Sequence, residues 1–354
     1  MSREKPIVPG VVGRGLARVY GAVVARRNRA FDRGHGVVSF DRACISVGNL
    51  SVGGTGKTPM VTWLIAQLRA AGHDPCVAMR GYGAVDGLSD EAAEYRATFE
   101  DLPIVAQPDR TGGLIELFGT ERGARVDAIV LDDGFQHRKV AREINLALID
   151  ATRDPFADEL IPAGWLREPV ASLARATHAV ITRADRVDAR TLRELRERVA
   201  ALVPGPVATA RHAWTGLEIF EGPTVRSEPV AALRGRRVLV VCAIGNPRAL
   251  VAQVREAAGP QTPAPEPILL RDHDPYSSST VHMIERAALA ADVVLTTGKD
   301  WAKLGARWTS NVPVAVPRLA MELDAQGEAI LAGALGAIRA ASAERGAEDH
   351  PPDA

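Results

Sequence analysis

A glycine-rich run at residues 51–58 carries the most recognisable chemistry in this sequence. The run reads Ser-Val-Gly-Gly-Thr-Gly-Lys-Thr. Glycine adopts backbone conformations that other residues avoid, so such a loop can turn its N–H groups toward a chain of phosphates. The lysine suits the terminal phosphates, and the threonine hydroxyl suits Mg²⁺. We therefore predict a phosphate-binding loop formed by Ser51, Val52, Gly53, Gly54, Thr55, Gly56, Lys57 and Thr58.

The residues around this loop predict the strand and the helix that it needs. Residues 44–47 read as a short buried strand, and apolar residues then recur at helical spacing from residue 60 to residue 68. Pro59 lies in the first helical turn, where a missing N–H group costs nothing. Ser51 departs from the usual pattern, which begins with glycine. A chance glycine-rich loop is the alternative, and the flanking elements disfavour it.

Two carboxylates end an apolar run at residues 127–131. Asp132 and Asp133 would lie at the carboxyl end of a strand, where P-loop enzymes hold Mg²⁺ or its water shell. The alternative is a plain Asp-Asp-Gly turn. The preceding phosphate loop favours the metal site, and His137 adds a hydrogen-bonding group beside the predicted phosphates.

Further polar segments have ordinary structural explanations when each is taken alone. Arg80 follows the second predicted strand, where it would contact a phosphate or belong to a turn. Asp90 lies in a Ser-Asp-Glu run that is typical of a helix N-cap. Arg167 and Glu168 resemble a solvated loop ion pair, and His273 lies in an Asp-His-Asp cluster of the kind that is usually structural. Spacing alone assigns none of them a chemical role.

The elements that position these residues alternate along the chain. Predicted strands at 76–80, 103–106, 127–131, 145–149, 178–182, 237–243, 267–270, 292–296 and 312–316 alternate with helical stretches. This alternation is typical of an α/β fold with a mostly parallel sheet. The pattern loosens into a Pro/Gly-containing stretch between 204 and 228. We predict a P-loop NTPase-like domain over residues 33–222, a smaller α/β domain over 223–340 and a flexible tail over 341–354.

Residues 1–32 form a separate N-terminal segment with an amphipathic helix. Apolar residues, including Tyr20, line one helical face, while Arg14 and Arg18 lie opposite. Such a helix can lie in a membrane interface with its arginines among anionic headgroups. The alternative is a helix that packs on the protein with its arginines in water.

The composition excludes several classes of protein. Lys+Arg and Asp+Glu both total 43, so the chain offers no global attraction to nucleic acid, and we expect no nucleic-acid partner. The three cysteines each lie in an apolar, strand-like run and are expected to be buried thiols of a reducing compartment. The absence of a run of about eighteen apolar residues and of a signal-peptide core predicts a cytoplasmic protein.

Nine motifs together resemble those of the tetraacyldisaccharide 4′-kinase family, and they appear in the family's order over about residues 10–335. They are VGNLSVGGTGKTP (47–59), RGYG (80–83), SDE (89–91), PDR (108–110), DDGFQH (132–137), LIPAGWLREP (160–169), AIGNP (243–247), DHDPY (272–276) and TTGKD (296–300). The family also has serine at the first loop position, so Ser51 agrees with it. Departures occur at Ser89, where the family commonly has Gly, and at Phe135, where it commonly has Leu. The others are Asp274, where the family often has His or Gln, and Gly298, where Glu is common.

The resemblance implies transfer of the ATP γ-phosphate to the 4′-hydroxyl of a tetraacylated glucosamine disaccharide 1-phosphate. ATP and Mg²⁺ are the implied cofactors, and the implied place is the cytoplasmic face of the bacterial inner membrane, reached through the N-terminal helix. No obligatory protein partner is implied.

The resemblance also implies residue roles. Lys57 would neutralise the β- and γ-phosphates, and Asp90 would act as the catalytic base with His273, the two brought together by domain closure. The implied metal-binding residues are Thr58, Asp132, Asp133 and Glu168, and the candidate substrate contacts are Arg80, Arg110, His137 and Arg167.

Two other functions remain as alternatives. A P-loop kinase or ligase for a soluble metabolite would act without lipid or detergent and without residues 1–30. A membrane-associated nucleotide-switch ATPase would hydrolyse ATP in response to a partner and would make no phosphorylated small molecule.

Overall fold

The computed structural model describes residue 8 and residues 10–81, 90–244, 247–271 and 274–349. The chain divides into two compact units. The first comprises Met1–Arg211 together with Met321–Ala354, and the second comprises His212–Ala320.

The first unit is built from alternating helices and strands. Its elements are α1 (Gly10–Asp32), β1 (Ala43–Asn49), α2 (Lys57–Ala70), β2 (Pro75–Met79), α3 (Asp90–Thr98), β3 (Ile104–Ala106), α4 (Arg110–Phe118), α5 (Glu121–Ala124), β4 (Ala128–Asp132), β5 (Ile144–Asp150), β6 (His178–Thr182), α6 (Ala189–Ala200) and the start of β7 (Val207–Glu221). Short 3₁₀ helices at Pro155–Ala157, Val170–Arg175 and Ala184–Arg186 also belong to it, as does a helix near the carboxyl end of the chain.

The strands of the first unit pair in parallel in the order β7-β6-β5-β1-β4-β2-β3. Strands β1, β4 and β5 are buried along their whole length, as expected for central parallel strands covered on both faces. The register pairs Val47 with Asp132, so the carboxyl ends of β1 and β4 meet at one edge of the sheet. That edge carries the phosphate loop and the two aspartates.

The second unit holds a smaller parallel sheet. Its elements are β8 (Thr224–Glu228), β9 (Val238–Cys242), α7 (Pro247–Ala258), β10 (Ile268–Leu269), α8 (Ser278–Ala288), β11 (Val293–Leu295), α9 (Gly298–Leu304) and β12 (Val314–Leu323), with 3₁₀ helices at Val230–Leu233 and Gly305–Arg307. Strands β10, β9, β11 and β12 pair in parallel in that order, and β8 forms an antiparallel hairpin with β7. The prediction of a mostly parallel α/β fold is confirmed.

The predicted boundary near residue 222 differs from the structure. The stretch 204–228, predicted to be irregular, contains the long strand β7. Its prolines lie outside the strand, and Gly222 lies in the hairpin turn with a φ of 54°, but Gly216 lies within the strand. Near the carboxyl end, the chain returns to the first unit at Met321 rather than staying in a 223–340 domain.

The helix after that return also replaces the predicted tail. Helix α10 spans Gln326–Asp349, so residues 341–349 are helical. Its buried residues Ile330, Ala334 and Ile338 join the apolar core formed by β1 and α2, which explains why the segment belongs to the first unit.

Helix α1 has a face toward the protein and a face toward solvent. Gly13, Ala17, Val24 and Asn28 are buried. Tyr20, predicted to share one apolar face with Val12, Leu16, Val19 and Val23, instead turns toward the protein and donates a hydrogen bond from its hydroxyl to the carbonyl of Arg167 at 2.9 Å. The helix is therefore seated on the protein by small residues and by polar contacts.

Candidate active site

The glycine-rich loop connects β1 to α2, as the sequence predicts. Gly56 caps α2 in the left-handed conformation with a φ of 89°, and Gly53 has a φ of 109°. Both values lie where residues with a Cβ atom are strained, so the two glycines are required by the turn itself. The first turn of α2 then presents Lys57 and Thr58 at the helix N-terminus, where N–H groups favour anions.

The rear of the loop is held by two residues at the end of β6. The Thr182 hydroxyl donates to the carbonyl of Thr55 at 2.9 Å, and Arg183 donates from Nη2 to the carbonyl of Gly54 at 2.8 Å. Arg183 also forms an ion pair with the buried Asp150. In a trans peptide the C=O group and the following N–H group point in opposite directions. Fixing these two carbonyls therefore directs the N–H groups of Thr55 and Gly56 away from β6. Spacing did not single out Thr182, because its partner lies on a distant part of the chain.

Lys57 and Arg167 meet at the carboxylate of Asp133. Lys57 Nζ lies 3.6 Å from Asp133 Oδ1 and 3.3 Å from Asn49 Oδ1, and Arg167 Nη1 lies 2.7 Å from Asp133 Oδ2. Burial by itself raises the pKa of Asp133, but the charges of Lys57 and Arg167 outweigh it and hold that pKa below its ordinary value. Asp133 is therefore an anion that fixes two cations beside the phosphate loop.

Arg110 and His137 line the same edge. Arg110 is 2% exposed and donates from Nη1 to the carbonyl of Asp133 at 3.2 Å. Burial, followed by the charges of Arg110 and Arg142, lowers the pKa of His137 to about 4. His137 is therefore a neutral imidazole at physiological pH, and it contributes hydrogen bonding rather than charge.

Asp132 and Thr58 fit a magnesium ion by the chemistry of their donor atoms. Asp132 ends β4, is 3% exposed, and accepts a hydrogen bond at 2.9 Å from the hydroxyl of Tyr95, which fixes its carboxylate. Thr58 is buried in the first turn of α2. Carboxylate and hydroxyl oxygens are hard ligands, and Mg²⁺ in P-loop proteins takes one or two of them together with phosphate oxygens. No group of three or more His, Cys, Asp or Glu side chains arranged to hold a metal occurs among the described residues.

Glu168, expected to bind metal, lies in a different environment. It is fully buried, accepts a hydrogen bond at 2.7 Å from Asn28 Nδ2, and pairs with Arg175 at 2.9 Å. Arg27 adds a weaker contact at 3.5 Å. Through these partners Glu168 helps to attach α1, and no local pattern predicts the contact because Asn28 is 140 residues away.

The remaining predicted residues are placed only in part. Arg80 is exposed and directly follows β2. Asp90 begins α3, but its side chain lies outside the described residues, and so does the whole of His273. The structure thus brings together Lys57 with Asp133 and Arg167, and it leaves the predicted catalytic pair undescribed.

Comparisons with known proteins found one matching family model, similar proteins in other bacteria and a similar solved structure. The family model for tetraacyldisaccharide-1-P 4′-kinase matches residues 12–336. A tetraacyldisaccharide 4′-kinase from Geobacter sulfurreducens is 35% identical over 318 residues, which covers 84% of this chain and 85% of that protein. One from an Anaeromyxobacter species is 32% identical and covers 94% of this chain and 92% of that protein. The crystal structure of the "apo" form of LpxK from Aquifex aeolicus in complex with ATP has a TM-score of 0.68 at 26% identity, covering 92% of this chain and 98% of that one.

Proposed function

This chain belongs to the tetraacyldisaccharide-1-P 4′-kinase family, and we propose that it transfers the γ-phosphate of ATP to the 4′-hydroxyl of a tetraacyldisaccharide 1-phosphate. The product is a disaccharide lipid that carries phosphate at both ends.

The contact of Lys57 with Asp133 is the observation that supports this proposal most. Lys57 follows the glycine loop, and its Nζ lies 3.6 Å from a carboxylate that Arg167 also binds. Phosphoryl transfer needs cations fixed around the phosphates more than it needs covalent chemistry from the protein. The Asp133 carboxylate holds the cationic groups of Lys57 and Arg167 in place, so their positions are set before the nucleotide binds.

Thr58 and Asp132 would hold Mg²⁺, and Asp133 would contact its water shell. The oxygen atoms of Thr58 and Asp132 suit this ion, and these two side chains are buried beside the phosphate loop. When bound, Mg²⁺ neutralises charge on the phosphate oxygens. Tyr95 keeps the Asp132 carboxylate oriented through its 2.9 Å hydrogen bond.

Asp90 would act as the base that accepts the proton of the sugar hydroxyl, and His273 would orient or tune it. These roles rest on the motifs at residues 89–91 and 272–276. A carboxylate is a weak base at neutral pH, but a loose transition state asks for orientation of the hydroxyl more than for early proton removal. Arg80, Arg110, His137 and Arg167 would bind phosphate or sugar oxygens.

Helix α1 would hold the enzyme at the surface of the inner membrane, on the cytoplasmic side. Its outward stripe of Val12, Leu16, Val19 and Val23 is strongly exposed, with Val12 at 68% and Leu16 at 49%. Exposed arginines lie beside this stripe. An apolar stripe flanked by cations fits the boundary between acyl chains and anionic headgroups. No helix of the described residues has the length and apolar character needed to cross a membrane.

A label-transfer assay tests the proposed reaction. Purified protein is incubated with γ-labelled ATP, Mg²⁺ and tetraacyldisaccharide 1-phosphate in mixed micelles, and the lipid fraction is separated. We expect label in a bisphosphorylated lipid and a loss of at least two orders of magnitude in Lys57→Met, because that variant lacks the cation next to the phosphates.

Two controls separate the alternative functions. A soluble-metabolite kinase would leave the lipid unlabelled and would label a water-soluble extract instead. A nucleotide switch would release the label as inorganic phosphate and would form no labelled lipid or metabolite. Either result, obtained with protein that binds ATP, contradicts the proposal.

A further inference from the structure

Two side chains of α1 contact consecutive residues of the loop that carries Arg167. The Tyr20 hydroxyl donates to the carbonyl of Arg167 at 2.9 Å, and Asn28 Nδ2 donates to Glu168 Oε2 at 2.7 Å. Burial raises the pKa of Tyr20, so its hydroxyl keeps its proton and remains a donor. Both contacts are made by the inward face of α1, opposite to a solvent-exposed side of the helix.

The same loop is bound to the start of the phosphate loop. The Arg167 N–H group donates to the carbonyl of Leu50 at 2.7 Å, and the Val52 N–H group donates to the carbonyl of Trp165 at 2.8 Å. The backbone of Arg167 is therefore fixed on both sides, by Leu50 through its N–H group and by Tyr20 through its carbonyl. From that fixed position, its side chain reaches Asp133 at 2.7 Å.

Helix α1 is itself held at both ends. The N–H group of Val8 donates to the carbonyl of Pro162 at 3.0 Å, and Arg138 Nη1 donates to the carbonyl of Asn28 at 2.9 Å. A Cβ atom added at Gly21 would lie 2.9 Å from Leu160 Cδ1, so the helix approaches the loop too closely for a larger residue there without movement of the leucine side chain. The contact between α1 and the loop is thus a packed interface.

We propose that Tyr20 and Asn28 are positioning residues of the phosphoryl-transfer site. They fix the backbone of Arg167 and the side chain of Glu168. Through Arg167 they also hold Asp133 and Lys57 and the start of the phosphate loop. This inference rests on the proposed function. Helix α1 then has two separable roles, membrane attachment through its outward stripe and alignment of the site through its inward face.

The burial of Glu168 explains why such small contacts matter. A fully buried carboxylate needs several donors, because a buried charge that loses a partner is costly. Removing Asn28 leaves Arg175 and the longer contact to Arg27. A shift of the loop that brings Glu168 closer to other donors or to water then lowers the free energy of the buried charge. Arg167, the direct neighbour of Glu168, moves with it.

The test uses Tyr20→Phe, Asn28→Asp and the double variant Asn28→Asp/Glu168→Gln. Tyr20→Phe removes one hydroxyl from a half-buried ring and is expected to fold. Asn28→Asp places two carboxylates together, and the double variant restores one carboxylate against one carboxamide with the donor and acceptor exchanged. Ala25→Ser, an exposed position of the same helix, is the matched control.

Two measurements are made on each variant. The first is the Kd of a fluorescent ATP analogue, which does not depend on lipid. The second is kcat with saturating lipid in mixed micelles, where membrane affinity no longer limits the rate. We expect Tyr20→Phe and Asn28→Asp to raise the Kd several-fold and to lower kcat by about tenfold, with substantial recovery in the double variant and wild-type values in Ala25→Ser.

The contrary results are distinct. If Tyr20→Phe and Asn28→Asp keep the wild-type Kd and kcat and change only binding to anionic vesicles, α1 is an anchor alone and the inference is wrong. If the wild type labels no lipid, the proposed function fails, and the Kd values of the same variants still decide whether α1 positions the nucleotide site.

Discussion

Replacing Thr182 by valine is predicted to weaken ATP binding without changing any residue that contacts phosphate. Thr182 is fully buried at the end of β6, and its hydroxyl donates to the carbonyl of Thr55 at 2.9 Å and to that of Ile149 at 3.3 Å. Valine has nearly the same shape and no donor. The change therefore isolates the hydrogen bond that holds the rear of the phosphate loop.

The magnitude follows from the cost of a buried carbonyl that loses its donor. A neutral hydrogen bond contributes about 0.5–1.5 kcal/mol, and a buried polar group left unsatisfied costs about 1–3 kcal/mol. A loss of about 1–2 kcal/mol corresponds to a factor of about 5–30 in an equilibrium constant. Because the freed loop must be ordered again when phosphates bind, we expect most of this factor in the Kd for ATP.

Isothermal titration calorimetry with ATP and Mg²⁺ provides the assay, together with the thermal midpoint of each variant. Thr182→Ser keeps the hydroxyl and is expected to bind ATP like the wild type. Thr209→Val removes a comparable strand threonine bond, to Asp324 at 3.0 Å, and should lower only the thermal midpoint. An unchanged Kd in Thr182→Val, or equal losses in Thr182→Val and Thr209→Val, would show that this hydrogen bond does not order the phosphate loop.

Three further predictions concern charge and burial. Because the folded pKa of Asp133 is held below 3.8, its contribution to stability is present above that pH and is lost as the pH falls through the folded pKa. Urea unfolding should therefore show the difference between wild type and Arg167→Met to be largest near neutral pH and to shrink in acid; a constant difference would show that Arg167 acts by packing alone. Since the pKa of His137 is about 4, its titration should not change the rate between about pH 6 and pH 8. A pH dependence in this range that is lost in His137→Gln would contradict this. Asp300 is buried, and both of its carboxylate oxygens accept from the N–H group of Ala243 at 3.2 Å. Asp300→Asn should therefore lower the free energy of unfolding in urea by about 1–3 kcal/mol. A variant as stable as the wild type would show that Asp300 does not stabilise the fold.

The parts of the site that sequence predicted are those whose signal is local. The glycine loop, its strand and its helix lie within residues 43–70, and the spacing of glycines and apolar residues determines their order. Strands were likewise predicted where β-branched runs alternate with helical periods, because a parallel strand that is buried on both faces is mostly apolar.

The parts that sequence did not predict depend on contacts between distant residues. The metal-binding role of Glu168 was implied by a motif and stays a prediction, whereas its contacts with Asn28 and Arg175 had no local signal in the sequence. Periodicity predicts Tyr20 on the same apolar face as Val12, Leu16 and Val19, yet its hydrogen bond to a carbonyl 147 residues away turns it inward. Periodicity reports which residues are apolar, and it does not report which polar partner the fold supplies.

The return of α10 to the first unit escaped prediction for a similar reason. Its alanine-rich sequence has a high helix propensity but carries few large apolar residues. Ile330 and Ile338 are enough to dock it on the core of β1 and α2, and no local pattern indicates which of the two cores receives them.

The position of the new phosphate on the lipid product tests the proposed 4′-kinase reaction. A two-dimensional ¹H–³¹P correlation spectrum of the purified product links each phosphorus to the sugar proton on the carbon that bears it. We expect a new phosphate monoester correlated with the proton at the 4′ position, while the resonance of the 1-phosphate stays unchanged. A diphosphate at position 1, or a phosphate correlated with any other sugar proton, would contradict this expectation.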